Sequence, residues 1–356
     1  MKKAFIVFFI GSLIAFQACN KDQVISEPIP EDDSVELEVP PHFPPPIDFS
    51  DNPLTTSGIE LGRRLFYDPR LSADSTQACA NCHLQDFNFS DFNQFSTGID
   101  GIKGDKNAMA VVNLAWQSTF FWDGRSTSLE EQALEPILDP IEMHDTWENV
   151  VKKLKASQMY QEYFTRAFGA NSITSDNATK AIAQFERSMV SANSKYDEGF
   201  LMQPQFANFT NREFDGYTFF NNEVGDCFHC HAEPLFGSFG SLQFSNNGLD
   251  SNIAPGTGRE GVTNNPNDRG KFKIPTLRNI EFSFPYMHDG RFQSLPEVIE
   301  HYNMGGHWSP TIDENMKAVG AGKNWSPYEK AALIDFMKTL TDYDFLADTT
   351  FSDPFK

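Results

Sequence analysis

Two pentapeptides carry the clearest chemistry in this chain: Cys79-Ala80-Asn81-Cys82-His83 and Cys227-Phe228-His229-Cys230-His231. Both follow the pattern C-x-x-C-H. Two thiols three positions apart can form thioether links to the two vinyl groups of one haem, and the next residue offers its imidazole to the iron. Four thiols could also make disulfides, or one zinc site from two C-x-x-C pairs. Neither alternative calls for a histidine directly after each pair, and haem c does. The expectation is two covalently bound haem c groups. Cys79, Cys82, Cys227 and Cys230 are their attachment points, and His83 and His231 are their proximal iron ligands.

A third stretch, residues 288 to 307 (HDGRFQSLPEVIEHYNMGGH), holds further metal-capable side chains in His288, His301, Tyr302, Met304 and His307. An internal repeat ranks them. Residues 113–129 (NLAWQSTFFWDGRSTSL) align without a gap on residues 279–295 (NIEFSFPYMHDGRFQSL), with Asn113, Asp123, Gly124, Arg125, Ser128 and Leu129 falling on Asn279, Asp289, Gly290, Arg291, Ser294 and Leu295. In this register each Ser-Leu opens a helix whose eighth residue is Pro136 in the first unit and Tyr302 in the second. Proline has no ligating atom, whereas tyrosinate can ligate haem iron. One haem is therefore expected to keep an open sixth position. The other is expected to be closed on its distal side by Tyr302, with Met304 as the fallback. His288 falls on Trp122, so it is expected between the haems rather than on an iron.

The elements that must hold these residues read as helices. Apolar spacings of three and four run through Ser57–Phe66, Ser128–Ile137, Thr146–Ala156, Ser175–Ser191, Arg212–Asn221 and Ser326–Leu340. Several begin at Ser, Thr or Asp caps. No alternating strand pattern is convincing, and Gly248–Asn267 reads as loop. The fold class is thus mainly α, as two tandem c-type cytochrome domains with one haem each. A boundary near residues 191–211 gives units 54–200, peroxidatic, and 201–350, electron-transferring, once the family resemblance below is applied.

At 356 residues the chain is long enough for two such domains. A net charge of −21 excludes nucleic acid as a partner and favours a basic protein one. The N-terminus reads as an export signal over residues 1–19: Lys2-Lys3, an apolar run from Ala4 to Phe16, then Gln17-Ala18-Cys19. Its end resembles a bacterial lipoprotein cleavage site, with Cys19 the lipidated residue of a periplasmic or outer-membrane-anchored protein. Residues 20–53, acidic and Pro-rich, are expected as an extended tether with His42 in solvent. A second copy of the chain is a further candidate partner.

The two C-x-x-C-H motifs, the Phe121-Trp122-Asp123-Gly124-Arg125 segment and the spacing of Gln132, Pro136 and Glu142 resemble the bacterial dihaem cytochrome c peroxidase family, including its MauG branch. The resemblance covers nearly all of residues 54–345. It implies reduction of hydrogen peroxide to water at the N-terminal haem, with electrons from a cytochrome c or similar donor relayed by the C-terminal haem. Glu142 would then be the acid/base residue, Gln132 would orient peroxide or water, Pro136 would line the open face, and Trp122 would carry electrons between the haems. The resemblance also implies one calcium ion, held by the Asn107 side chain and the Ser283 and Pro285 carbonyls. Two departures bear on the activity. Residues 84–112 contain no histidine, and Ile99 stands where many relatives carry one that blocks the first haem. Tyr302 falls at the position where the peroxidases use Met, as in the MauG branch. The alternatives are therefore a MauG-like oxidase that modifies side chains of a partner protein, and a dihaem electron carrier without catalysis.

Overall fold

The computed structural model describes residues 33–237 and 243–356. The export signal and Cys19 lie outside the described residues. The protein is mainly helical. The helices are α1 (Thr56–Tyr67), α2 (Leu129–Leu138), α3 (Trp147–Lys155), α4 (Gln158–Phe168), α5 (Ser175–Ser188), α6 (Lys195–Leu201), α7 (Asn211–Phe220), α8 (Glu260–Thr263), α9 (Leu295–Met304), α10 (Pro327–Lys338) and α11 (Tyr343–Ala347). Two short antiparallel strands, β1 (Phe244–Ser245) and β2 (Phe272–Lys273), pair Phe244 with Lys273. Side-chain oxygens at the N-caps Thr55, Ser128, Thr146, Ser157, Thr174, Ser194, Thr210 and Ser326 accept backbone N–H groups that the first turn leaves unpaired.

The repeat legible in the sequence is also a repeat of packing. α1 crosses α5, and α7 crosses α10, each at a glycine. A Cβ on Gly62 would lie 1.9 Å from the Ala181 carbonyl oxygen and 2.9 Å from the Phe185 Cβ. A Cβ on Gly216 would lie 1.9 Å from the Ala332 carbonyl oxygen and 2.9 Å from the Phe336 Cβ. No other residue permits backbones to approach so closely. After each crossing the chain is caught by an asparagine of the repeat. Asn113, at φ 53°, accepts the Ser191 N–H at 2.9 Å and donates its own N–H to the Met189 carbonyl at 3.0 Å. Asn279, at φ 58°, accepts the Asp342 N–H at 2.7 Å and donates to the Leu340 carbonyl at 3.0 Å.

Three expectations need correction. α5 stops at Ser188 rather than Ser191, because Asn113 draws residues 189–191 out of the helix. α4 and α6 were not anticipated, although Met159, Tyr160, Tyr163 and Phe164 of α4 are buried at helical spacing. The third concerns residues 33–53, which are extended but docked. Val35 donates to the Leu54 carbonyl (2.9 Å) and Ile47 to that of Ala115 (3.0 Å), while buried Phe43 meets the Trp116 ring edge-on at 5.1 Å. His42, expected in solvent, is 1 % exposed, with Nε2 2.6 Å from Asp197 Oδ1. Anchoring by isolated side chains leaves no periodicity to read.

Asp197 is the hub of that dock. Arg278, wholly buried, donates to both its carboxylate oxygens at 2.8 Å and also to the Pro234 carbonyl. Its guanidinium stacks 4.7 Å from the Phe43 ring. Burial alone would raise the Asp197 carboxyl. The Arg278 charge and the hydrogen bonds from His42, Arg278 and Ser194 outweigh it and hold the group well below the ordinary carboxylate range. A depressed carboxyl stabilises the fold above its unfolded pKa of about 4, and that contribution is lost as pH falls below it. Asp197→Asn, which leaves a buried guanidinium unpaired, should destabilise the protein by about 3–5 kcal/mol in denaturant unfolding at neutral pH. The gap between variant and parent should narrow as the pH falls below about 4.

Candidate functional site

Both C-x-x-C-H motifs fold alike. Cys79–Asn81 forms a single tight turn, and His83 donates its backbone N–H back to the Cys79 carbonyl at 3.0 Å. His231 does the same to Cys227 at 2.9 Å. Each imidazole Nδ1 then meets a main-chain carbonyl, Phe89 for His83 (2.9 Å) and Phe236 for His231 (3.0 Å). A carbonyl can only accept, so Nδ1 must carry the proton, and Nε2 keeps its lone pair for a ligand. Burial reinforces this by lowering both histidine pKa values. The four thiols are free, and burial raises them too: Cys82 to about 11, Cys227 and Cys230 to about 12, and Cys79 further.

Cys82, His83, Cys227, Cys230 and His231 all line a single cavity of about 1000 Å³. That volume is at the top of the range for ligand pockets, far larger than a small oxidant needs and suited to bulky prosthetic groups. Free thiols beside two imidazoles with available Nε2 atoms are the donor set that haem c requires. The residues present fit two such groups.

Around the first motif the wall is built by α2 and the turn after it. Gln132 and Pro136, one helical turn apart on α2, both face the cavity. Beyond the helix, Glu142 donates its N–H to the Asp139 carbonyl (3.1 Å) and its own carbonyl accepts the Ile99 N–H at 3.0 Å. The Glu142 side chain lines the cavity, and burial, with Asp139 adding to it, pushes its pKa up to about 7. Gly98 forms the neighbouring wall. The loop expected to lack a blocking histidine is thus tied to the Glu142 turn through the backbone of Ile99.

Trp122 lines the cavity that both motifs share, its Nε1 donating to the Asn107 carbonyl at 2.8 Å and its ring 6.4 Å from that of His288. His288 stacks on Phe272 at 3.6 Å, and burial lowers its pKa to about 4. Asn107, Ser283 and Pro285 line the same cavity. The Asn107 side-chain amide donates to the Asn93 and Gln94 carbonyls, leaving Oδ1 as its remaining ligand atom.

On the second side, Tyr302 of α9 reaches the cavity, while Met304 is 66 % exposed on the outside. The Tyr302 hydroxyl accepts from Asn247 Nδ2 at 3.3 Å, and the same nitrogen lies 3.4 Å from the Met287 sulfur. Burial pushes the phenol up to about 12. His301 turns instead to the Asn247 carbonyl at 3.1 Å, and His307 is exposed.

Two cavity residues escaped sequence reasoning. Glu186 of α5 is buried, burial pushes it up to about 8, and its Oε2 makes no hydrogen bond within the chain. Its signal was a carboxylate on the apolar face of a helix, one position past Phe185. Lys273 of β2 carried no signal in its short strand. One further cluster of ligand types among the described residues, Glu223, Asp226 and His229, is neutralised by Lys317 at 2.7 and 3.2 Å from the two carboxylates.

A family model described as di-haem cytochrome c peroxidase matches residues 56–204. The chain is 34 % identical over 282 residues to cytochrome c551 peroxidase of Nitrosomonas europaea, covering 79 % of each chain. It is 34 % identical over 290 residues to methylamine utilization protein MauG of Methylorubrum extorquens, covering 81 % of this chain and 79 % of that one. Among solved structures, a MauG-like protein associated with microbial copper homeostasis is similar with a TM-score of 0.81 and 34 % identity, over 91 % of this chain and all of that one.

If each motif attaches its own group, haem staining and pyridine haemochromogen spectra of the mature protein should give two covalent haems per chain. Replacing Cys227 and Cys230 together by Ser should leave one. Retention of two would remove the second motif as an attachment site.

Proposed function

The chain belongs to the di-haem cytochrome c peroxidase family, and from that premise we propose that it reduces hydrogen peroxide to water with electrons from a cytochrome c or a donor of similar kind. The observation that supports this best is Glu142, a half-buried carboxyl whose pKa is raised to about 7, in a wall shared with Gln132 and Pro136. His83 and His231 would hold the two irons, the four cysteines would anchor the porphyrins, and Tyr302 would ligate the second iron. When bound, the first haem supplies the iron at which the peroxide O–O bond is cleaved.

The chain's own residues do the proton work. Glu142 as carboxylate would take a proton from one peroxide oxygen and return it to the other, which would then depart as water. The full reaction consumes two electrons and two protons for each peroxide and yields two waters. Gln132 orients peroxide through its amide. Pro136 offers no ligand atom and so leaves that face open. Trp122, hydrogen-bonded and packed beside His288, offers an aromatic route between the halves. Asn107 Oδ1 and the Ser283 and Pro285 carbonyls suit a calcium ion, which favours oxygen donors. Residues 54–200 and 201–350 are read as the two haem c domains. The acidic surface draws a basic donor protein, and residues 1–19 direct export to the periplasmic side with Cys19 as a lipid anchor.

A second reading, a MauG-like oxidase acting on side chains of a partner protein, is favoured by Tyr302 facing the cavity and by the absence of histidine from residues 84–112. Steady-state assays with peroxide and reduced cytochrome c separate the two. Rapid oxidation of the cytochrome supports the peroxidase, and slow oxidation with modification of a protein substrate supports the oxidase.

In stopped-flow mixing with peroxide, the reaction rate should rise with pH through about 7 as the Glu142 carboxylate forms, then level off. Glu142→Gln should slow it about a hundredfold or more and flatten that profile. Unchanged kinetics would take Glu142 out of the mechanism. Tyr302→Met should raise the reduction potential of one haem in a redox titration, since tyrosinate favours ferric iron. Unaltered potentials would show that Tyr302 is no ligand.

A further inference from the structure

Lys273 belongs to the second half of the chain, yet its side chain ends in the first. Its backbone N–H donates to the Trp122 carbonyl at 2.7 Å, and its Nζ donates to the Gln117 side-chain carbonyl. The ammonium lies 5.9 Å from the Phe120 ring centroid. The residue is 3 % exposed and lines the cavity shared by the two C-x-x-C-H motifs.

Four cationic residues line that cavity. Lys106 pairs with Asp105 at 2.7 Å, Arg125 with Glu135 at 2.5 Å, and Lys323 with Asp226 at 3.6 Å. Among the described residues, Lys273 alone of the four has no carboxylate partner. Burial accordingly brings its pKa down to about 7. An ammonium withdrawn from water is costly unless an anion compensates it. One neutral amide oxygen and one aromatic ring do not compensate a buried charge, so the charge points to an anion delivered with a ligand. The neighbouring Phe120 and Gln117 supply none.

We infer that Lys273 is the counter-charge for a haem propionate carboxylate where the two halves of the cavity meet. The inference rests on the two-haem reading of the cavity. The Nζ–H groups donate to the carboxylate, the Gln117 amide oxygen takes a further one, and the propionate is fixed against the Trp122 segment. A compensated propionate also weighs less against the reduced haem, so Lys273 holds the potential of that haem up.

The test uses the full holoprotein and the variants Lys273→Met and Lys273→Arg. Haem is counted first. Fewer than two covalent haems in the parent chain would overturn the two-haem reading itself. With two present, a redox titration at pH 7 should show one midpoint of the Met variant displaced downward by about tenfold in its one-electron equilibrium, 59 mV. The Arg variant should keep the parental value. Unchanged midpoints in a Met variant carrying both haems would overturn the inference. Should the Met variant fail to accumulate with haem, the parent protein decides. Its resonance Raman propionate bending band should shift on transfer to D2O, as a band from a hydrogen-bonded carboxylate does, and a band insensitive to D2O would equally overturn the inference.

Discussion

The bond from an imidazole Nδ1–H to a backbone carbonyl, made by His83 to Phe89 and by His231 to Phe236, is the constraint around which both halves are organised. It fixes the tautomer and the ring plane, and so aims Nε2 into the cavity. Its geometry has a cost. Phe89 and Phe236 both sit at φ 52°, in the left-handed region that bulky residues avoid. What holds them there is packing. Both are fully buried, Phe89 among Phe66 and Phe345, Phe236 among Tyr196, Phe220 and Phe336. The aromatic richness of the chain, with 34 phenylalanines, thus has a local use: it fills the space behind each strained carbonyl.

The two halves solve the same problem with the same parts and diverge where chemistry differs. Gly62 and Gly216 allow the same helix crossing, and Asn113 and Asn279 stitch the same two segments at matching positive φ. Phe121 and Met287, also paired by the repeat, share positive φ ahead of the D-G-R turn. On this common frame Trp122 answers to His288 and Pro136 to Tyr302. Those two exchanges alter side chains that line the cavity, at positions where the neighbouring backbone takes the same turns. Elsewhere the halves differ in the chain itself: α3 and α4 follow α2 in the first, while β1, α8 and β2 lie between the second motif and its D-G-R turn.

Much of this was legible because it is local or periodic. C-x-x-C-H is a covalent pattern, helices announce themselves by spacing and caps, and the repeat register carries Tyr302 to the cavity while Met304, two positions on, is turned 200° around the helix into solvent. What was hidden depends on contacts between distant segments. His42 and Phe43 dock through single side chains, so residues 33–53 looked like a free tether. Glu186 and Lys273 are ordinary charges in the sequence, and only the fold makes them buried. α4 carries helical spacing at Met159, Tyr160, Tyr163 and Phe164, but the pattern is short and interrupted by Gln, Glu and Arg.

Burial also explains how one cavity can serve opposite needs. Withdrawal from water drives every ionisable group toward its neutral form, acids upward and bases downward. Glu142 and Glu186 therefore rise and Lys273 falls, and all three converge near neutrality. An acid near neutrality can both take and give a proton at little cost, which is what proton transfer between two oxygens demands. A lysine near neutrality is a cation waiting for an anion. Tyr302 starts so far above neutrality that burial alone keeps it protonated. Only a strong cation at its oxygen would make it a phenolate. The same withdrawal from water thus brings Glu142 near neutrality and leaves Tyr302 a neutral phenol unless a metal ion meets its oxygen.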